Sequence, residues 1–158
     1  MLLSLQRSVL TRVRAARRHI HRRRFSQIYN RYRAATMIPR GTFLDNLELA
    51  HMLAQRRDLA GYSIVECGTW RGGMAAALIE IYGRDRPYHF FDSFAGLPPA
   101  KEIDGVAARQ WQEDISSPKY YDNCTASKEE FLGTIGTTGK DLSQIHVHEG
   151  LFQEPLAE

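Results

Sequence analysis

The stretch Ser63-Ile64-Val65-Glu66-Cys67-Gly68-Thr69-Trp70-Arg71-Gly72-Gly73 decides the fold. Its first half is a short β-branched run that reads as a buried strand. Glycines come at once after it, where a chain leaving a strand must turn tightly. Trp70 to Tyr82 carries Met74, Ala75, Leu78, Ile79 and Ile81 and predicts a helix that Gly83 stops. Tyr88-His89-Phe90-Phe91 predicts a second strand ending at Asp92, and Ile145-His146-Val147-His148 a third ending at Glu149-Gly150. Upstream, Thr42 to Arg57 reads as a helix with Leu44, Leu47 and Leu53 in its stripe and Thr42 as its cap. Strands alternating with helices imply right-handed crossovers and a parallel sheet. Ligands of such sheets bind beyond the carboxyl ends of the strands.

Residues 100–127 separate the second strand from the rest and read as irregular. Trp111, Tyr120 and Tyr121 make this stretch an ordered lid rather than a linker. Ser127 and Glu130 form the capping-box pattern of a short helix, whose continuation the glycines and threonines of 133–139 weaken.

The rest of the chain narrows the class. It has 158 residues, 43% apolar and 25% charged, which is ordinary for one globular domain. Two cysteines, Cys67 and Cys124, make no disulfide framework, so a reducing, cytoplasmic setting is expected. The histidines and cysteines show no zinc-ligand spacing. The net charge of +3 conceals two unlike regions, because residues 1–40 hold 11 arginines and no acid while the remainder is acidic. The basic pI therefore belongs to a leader, and no nucleic-acid partner is expected from it. Within that leader, Leu2, Leu5, Val9, Val13, Ala16 and Ile20 form one helical stripe. Residues 1–36 are thus read as a basic amphipathic helical extension, and residues 37–158 as the domain, with the boundary near Pro39. The stripe could pack on the body, on a second subunit in a homo-oligomer, or on a membrane surface. An Arg-rich, acid-free transit peptide is a further reading.

The glycine turn carries the chemistry. A carboxylate at the end of the next strand, Asp92, lies where it can accept hydrogen bonds from ribose hydroxyls. A dinucleotide site would need a small middle glycine, and here that position is Trp70. Glu66 would also repel phosphates. S-adenosylmethionine carries no phosphate, and its ammonium and sulfonium favour nearby carboxylates. The loop therefore favours that cofactor over a nicotinamide dinucleotide, and no Gly-Lys-Ser/Thr marks a P-loop. The plainer roles are a stabilising carboxylate at a helix start for Glu66 and a turn cap at Ser93-Phe94 for Asp92.

Met37-Ile38-Pro39, the glycine stretch 65–73, Phe91-Asp92-Ser93-Phe94-Ala95-Gly96-Leu97-Pro98 and Gly150-Leu151-Phe152 with Pro155-Leu156 together resemble the macrocin O-methyltransferase (TylF-like) family. The resemblance runs from about residue 37 to the end. It implies an α/β, Rossmann-like class I methyltransferase fold using S-adenosylmethionine and Mg2+ to methylate sugar hydroxyls of glycosylated natural products or glycans. It places Glu66, Gly68, Thr69, Trp70 and Gly72 in the cofactor loop, Asp92 and Ser93 at the ribose, and Gly150, Leu151 and Phe152 beside the adenine. Asp114, Tyr120, Tyr121 and Asn123 become candidates for contact with the acceptor.

The same resemblance implies that only the first half of the sheet, strands in the order 3-2-1, is encoded. The magnesium ligands are then expected beyond Glu158, and the chain is expected to be truncated and inactive alone. No general base is assigned. His146 and His148, read as facing opposite sides of their strand, are ordinary strand residues. The alternative is a non-catalytic interaction module built from the half-domain and its basic helix.

Overall fold

A computed structural model describes residues 21–152 of the chain. Helix α1 spans residues 21–32 and ends in a 3-10 turn, Arg33–Ala35. Then come α2 (Arg40–Ala54), β1 (Ile64–Cys67), α3 (Gly73–Tyr82), β2 (Tyr88–Asp92), α4 (Gly105–Glu113), α5 (Lys128–Gly136) and β3 (Ile145–Glu149). The strands form one sheet in the order β1-β2-β3, and both pairs are parallel. This is the expected half-sheet order.

One face of the sheet is dry. Tyr88 and Phe90 are fully buried there, against a core drawn from Phe43 and Leu47 of α2, Met74 and Ile79 of α3, and Phe131 and Ile135 of α5. Ala75, Ala76 and Ala77 are also fully buried, and their small side chains let α3 sit closely between α2 and α5. The other face carries Val65 and Cys67, which are exposed, and a stack of rings. His89 lies 4.6 Å from His146 and 5.3 Å from His148, and His148 lies 4.2 Å from Phe91. His89 Nδ1 and His148 Nε2 are 3.1 Å apart. Burial, and after it the neighbouring His146 and His148, hold His89 below the usual histidine value.

The basic segment does not stand apart where it is described. Phe25, Ile28 and Tyr32 of α1 are buried in the same core as Phe43 and Leu47. The Tyr32 hydroxyl donates to Glu80 Oε1 at 2.6 Å, Arg31 pairs with the same carboxylate, and Arg24 donates to the Glu80 carbonyl at 3.0 Å. The Glu80 carboxylate on α3 therefore holds two side chains of α1, and its backbone carbonyl a third. The stripe from Leu2 to Ile20 lies outside the described residues. No helix among the described residues is long and apolar enough to cross a membrane.

Four local expectations change. Helix α2 begins at Arg40, not at Thr42, because Pro39 supplies the cap and its carbonyl accepts from the Phe43 N–H at 2.9 Å. Helix α3 begins at Gly73, because Trp70 and Gly72 hold left-handed φ angles of 49° and 83°. The stretch after residue 100 contains a nine-residue helix, α4, that polar composition disguised. His146 and His148 share one face, as strand residues two apart must, and both stack on His89.

Because Ile28 is core, Ile28→Ala is expected to cost about 2–4 kcal/mol in urea denaturation of the full chain. A leader merely lying on the surface would lose about 0.5 kcal/mol or less.

Candidate functional site

A cavity of about 380 Å³ lies beyond the carboxyl ends of the strands, within the usual range for small-molecule sites. Each strand supplies lining residues at its carboxyl end. Gly68 comes from β1, Asp92 and Ser93 from β2, and Gly150, Leu151 and Phe152 from β3. Met37, the turn Gly96-Leu97-Pro98, and Cys124 close the remaining sides. Trp70 lines it as well.

Asp92 organises the floor. Its Oδ2 accepts from the Thr69 N–H at 2.7 Å and the Trp70 N–H at 2.8 Å, and its Oδ1 from the Phe94 N–H at 2.8 Å. The Thr69 hydroxyl also lies 3.5 Å from Oδ2, so the acceptor position left open for a ligand is on Oδ1. Asp92 is thus the turn cap and the clamp of the glycine loop at once.

Trp70 joins floor to lid. Its left-handed backbone turns the indole away from α3, and its Nε1–H donates to the Thr125 carbonyl at 2.9 Å. The Tyr121 ring meets it edge-on at 5.9 Å, and the Arg71 guanidinium lies 4.6 Å from its centre. The middle-glycine position of a dinucleotide loop is therefore filled by a strut.

The macrocin O-methyltransferase (TylF) family model matches residues 2–158. The chain belongs to this family. Among solved structures, the O-methyltransferase NovP is similar, at 25% identity and a TM-score of 0.51 over 76% of this chain. The match covers 49% of NovP, so the TylF-family chain spans about half the length of that enzyme. The calicheamicin methyltransferase CalS11 is also similar, at 14% identity and a TM-score of 0.44, covering 87% of this chain and 59% of its own. No curated protein matches the chain.

Not every residue expected at the TylF-family site lines the cavity. Gly68, Trp70, Asp92, Ser93, Gly150, Leu151 and Phe152 do; Glu66, Thr69 and Gly72 do not. Thr69 is buried and serves Asp92. Gly72 has a packing role, because a Cβ there would stand 2.9 Å from the Phe131 ring. Of the residues expected to meet an acceptor, Asp114 accepts from the Ser116 hydroxyl, Tyr120 stacks near Trp111, and Asn123 bonds to Leu97. None of these lines the cavity, and neither does Tyr121. Cys124 does, and the sequence offered no periodicity or motif that would have singled it out. Among the described residues no group of three or more His, Cys, Asp or Glu could hold a metal ion. No chemical step is assigned to magnesium.

Glu66 is the unusual group. Its Oε2 is shut from solvent and has no hydrogen-bond partner. Burial first, and the Asp92 charge second, push its carboxyl up to about 8. A carboxyl oxygen buried without a donor favours the neutral, protonated form.

In the protein without ligand, both acids have measurable consequences. Asp92→Ala strips Thr69 and Trp70 of their acceptor and is expected to destabilise the chain by about 2–4 kcal/mol in chemical denaturation. Glu66 ionises near its ordinary 4.5 when unfolded but only near 8 when folded. Its contribution to stability is therefore highest below pH 4.5 and declines as the pH rises towards 8. Glu66→Gln should flatten the thermal midpoint against pH across that window; an unchanged slope would remove Glu66 as its cause.

Proposed function

We propose that the cavity is the S-adenosylmethionine site of an O-methyltransferase whose acceptor is a small molecule bearing a sugar hydroxyl. The observation that carries this reading is the cavity at the carboxyl ends of the strands, with the Asp92 carboxylate on its lining and apolar walls around it; Glu66 stands outside that lining, with an unpartnered Oε2 near Asp92. In this reading Glu66, although outside the lining, pairs with the ammonium of a cofactor seated against Gly68. When bound, the cofactor's sulfonium supplies an activated methyl group.

The chain's own residues bind and orient. Asp92 keeps its one open acceptor position for a ribose hydroxyl, with Ser93 beside it. Leu97, Pro98, Leu151 and Phe152 give the apolar walls that an adenine ring requires. Trp70 and Cys124 complete the lining. His146 and His148 lie on the sheet face and do not line the cavity, so neither is assigned the proton of an acceptor hydroxyl. The sugar class and the cytoplasmic setting come from the family resemblance and the cysteine usage. NovP supports the O-methyltransferase reading as a solved enzyme of related fold.

Calorimetry tests the reading directly. With its carboxyl poised at about 8, Glu66 holds a proton at pH 7 in the free chain, and an ammonium beside it drives that proton off. Titration with S-adenosylmethionine in buffers of different ionisation enthalpy should register release of close to one proton at pH 7 and, at pH 9.5, where the cofactor's own α-amino group is largely neutral, net proton uptake instead. Glu66→Gln should abolish the release and weaken binding about 10- to 100-fold. NAD should not bind. A chain indifferent to S-adenosylmethionine at millimolar concentration, or one that binds without releasing a proton, would overturn the assignment.

A further inference from the structure

We propose that Gln112 and Asn123 are positioning residues that couple the lid helix α4 to the wall of the cavity. Neither lines the cavity itself. The Gln112 carboxamide makes three hydrogen bonds. Its Oε1 accepts from the Ala100 N–H at 2.7 Å, and its Nε2 donates to the Pro98 carbonyl at 2.9 Å and to Asn123 Oδ1 at 3.2 Å. Asn123 passes the connection on. Its Nδ2 donates to the Leu97 carbonyl at 2.7 Å, and its own backbone carbonyl accepts from the Leu97 N–H at 2.9 Å. Leu97 and Pro98 are cavity wall. Two amides thus tie α4, the 97–100 segment and the 121–124 turn into one body.

The backbone shows that the tie is held against resistance. Tyr121, Asp122, Asn123 and Cys124 all carry φ between 51° and 61°. Four successive non-glycine residues in the left-handed region form a turn that L-residues disfavour. Gly96 makes room for it, since a Cβ there would stand 2.5 Å from the Asn123 carbonyl. The same turn places Cys124 in the cavity and Tyr121 on Trp70. Relaxing it would withdraw wall, lid and strut together. As a lid over bound cofactor, the coupled body rests on the cofactor reading above; as a mechanical unit it does not.

The experiment uses the full chain with Asn123→Gly and Gln112→Ala. Glycine accepts the left-handed backbone freely but lacks the amide. A turn needing only its conformation would therefore gain from Asn123→Gly. The coupling instead predicts that the thermal midpoint holds or rises while binding suffers. Hydrogen exchange at the Leu97 N–H is the ligand-free readout, because neither substitution removes its own acceptor. It should speed up tenfold or more in both variants, and S-adenosylhomocysteine should dissociate about tenfold faster with its association rate little changed. Leu97 protection equal to wild type in either variant overturns the coupling. Faster Leu97 exchange in a chain whose wild type does not bind S-adenosylhomocysteine leaves the coupling standing and defeats the cofactor reading instead. Faster exchange with an unaltered dissociation rate overturns the lid role.

Discussion

One carboxylate, Asp92, meets three backbone N–H groups from two different segments, the glycine loop at Thr69 and Trp70 and the turn at Phe94. The consequences spread outward from it. The loop leaving β1 is pinned across to the end of β2, so the gap between the strand ends stays open as a cavity. The pinned loop fixes a left-handed Trp70, whose indole then reaches the Thr125 carbonyl and meets Tyr121. Charge-assisted bonds of this kind contribute about 1.5–3 kcal/mol each. That is enough to hold an unfavourable backbone angle, which costs on the order of 1–2 kcal/mol.

The same carboxylate sets the electrostatics next door. Asp92 is close, and Glu66 Oε2 is shut from solvent without a partner. Burial, and after it the nearby Asp92, leave Glu66 holding its proton. Leu97, Pro98, Leu151 and Phe152 give the recess apolar walls, and Asp92 is the carboxylate on its lining.

The sheet explains why the cavity sits where it does, and why the molecule presents two unlike faces. Parallel strands place all their carboxyl ends at one edge, and the loops beyond them converge. On one face, helices α1, α2, α3 and α5 bury Tyr88 and Phe90. On the other, Val65 and Cys67 are exposed beside the rings of His89, His146 and His148. Parallel sheets are ordinarily covered on both faces. The TylF-family chain spans about half the length of NovP, and the described residues cover one face only.

Sequence alone determined the alternation of strands and helices, the parallel half-sheet, the glycine turn and the acid that closes the second strand. These rest on local signals: β-branched runs, the Ser127/Glu130 capping box, and glycines at Gly68, Gly72 and Gly83 where φ is positive. It also marked most of the cavity lining, because loops beyond parallel strands must meet. Tertiary structure alone decided the rest. That Asp92 spends its acceptors on the loop depends on a distance between two strand ends, which no spacing in the chain encodes. Burial in the core of Phe25, Ile28 and Tyr32 depends on Glu80, roughly fifty positions away, reaching α1 from α3. The left-handed turn of Tyr121 to Cys124 has no glycine to announce it, since long-range bonds from Gln112, Leu97 and Trp70 hold what local preference opposes.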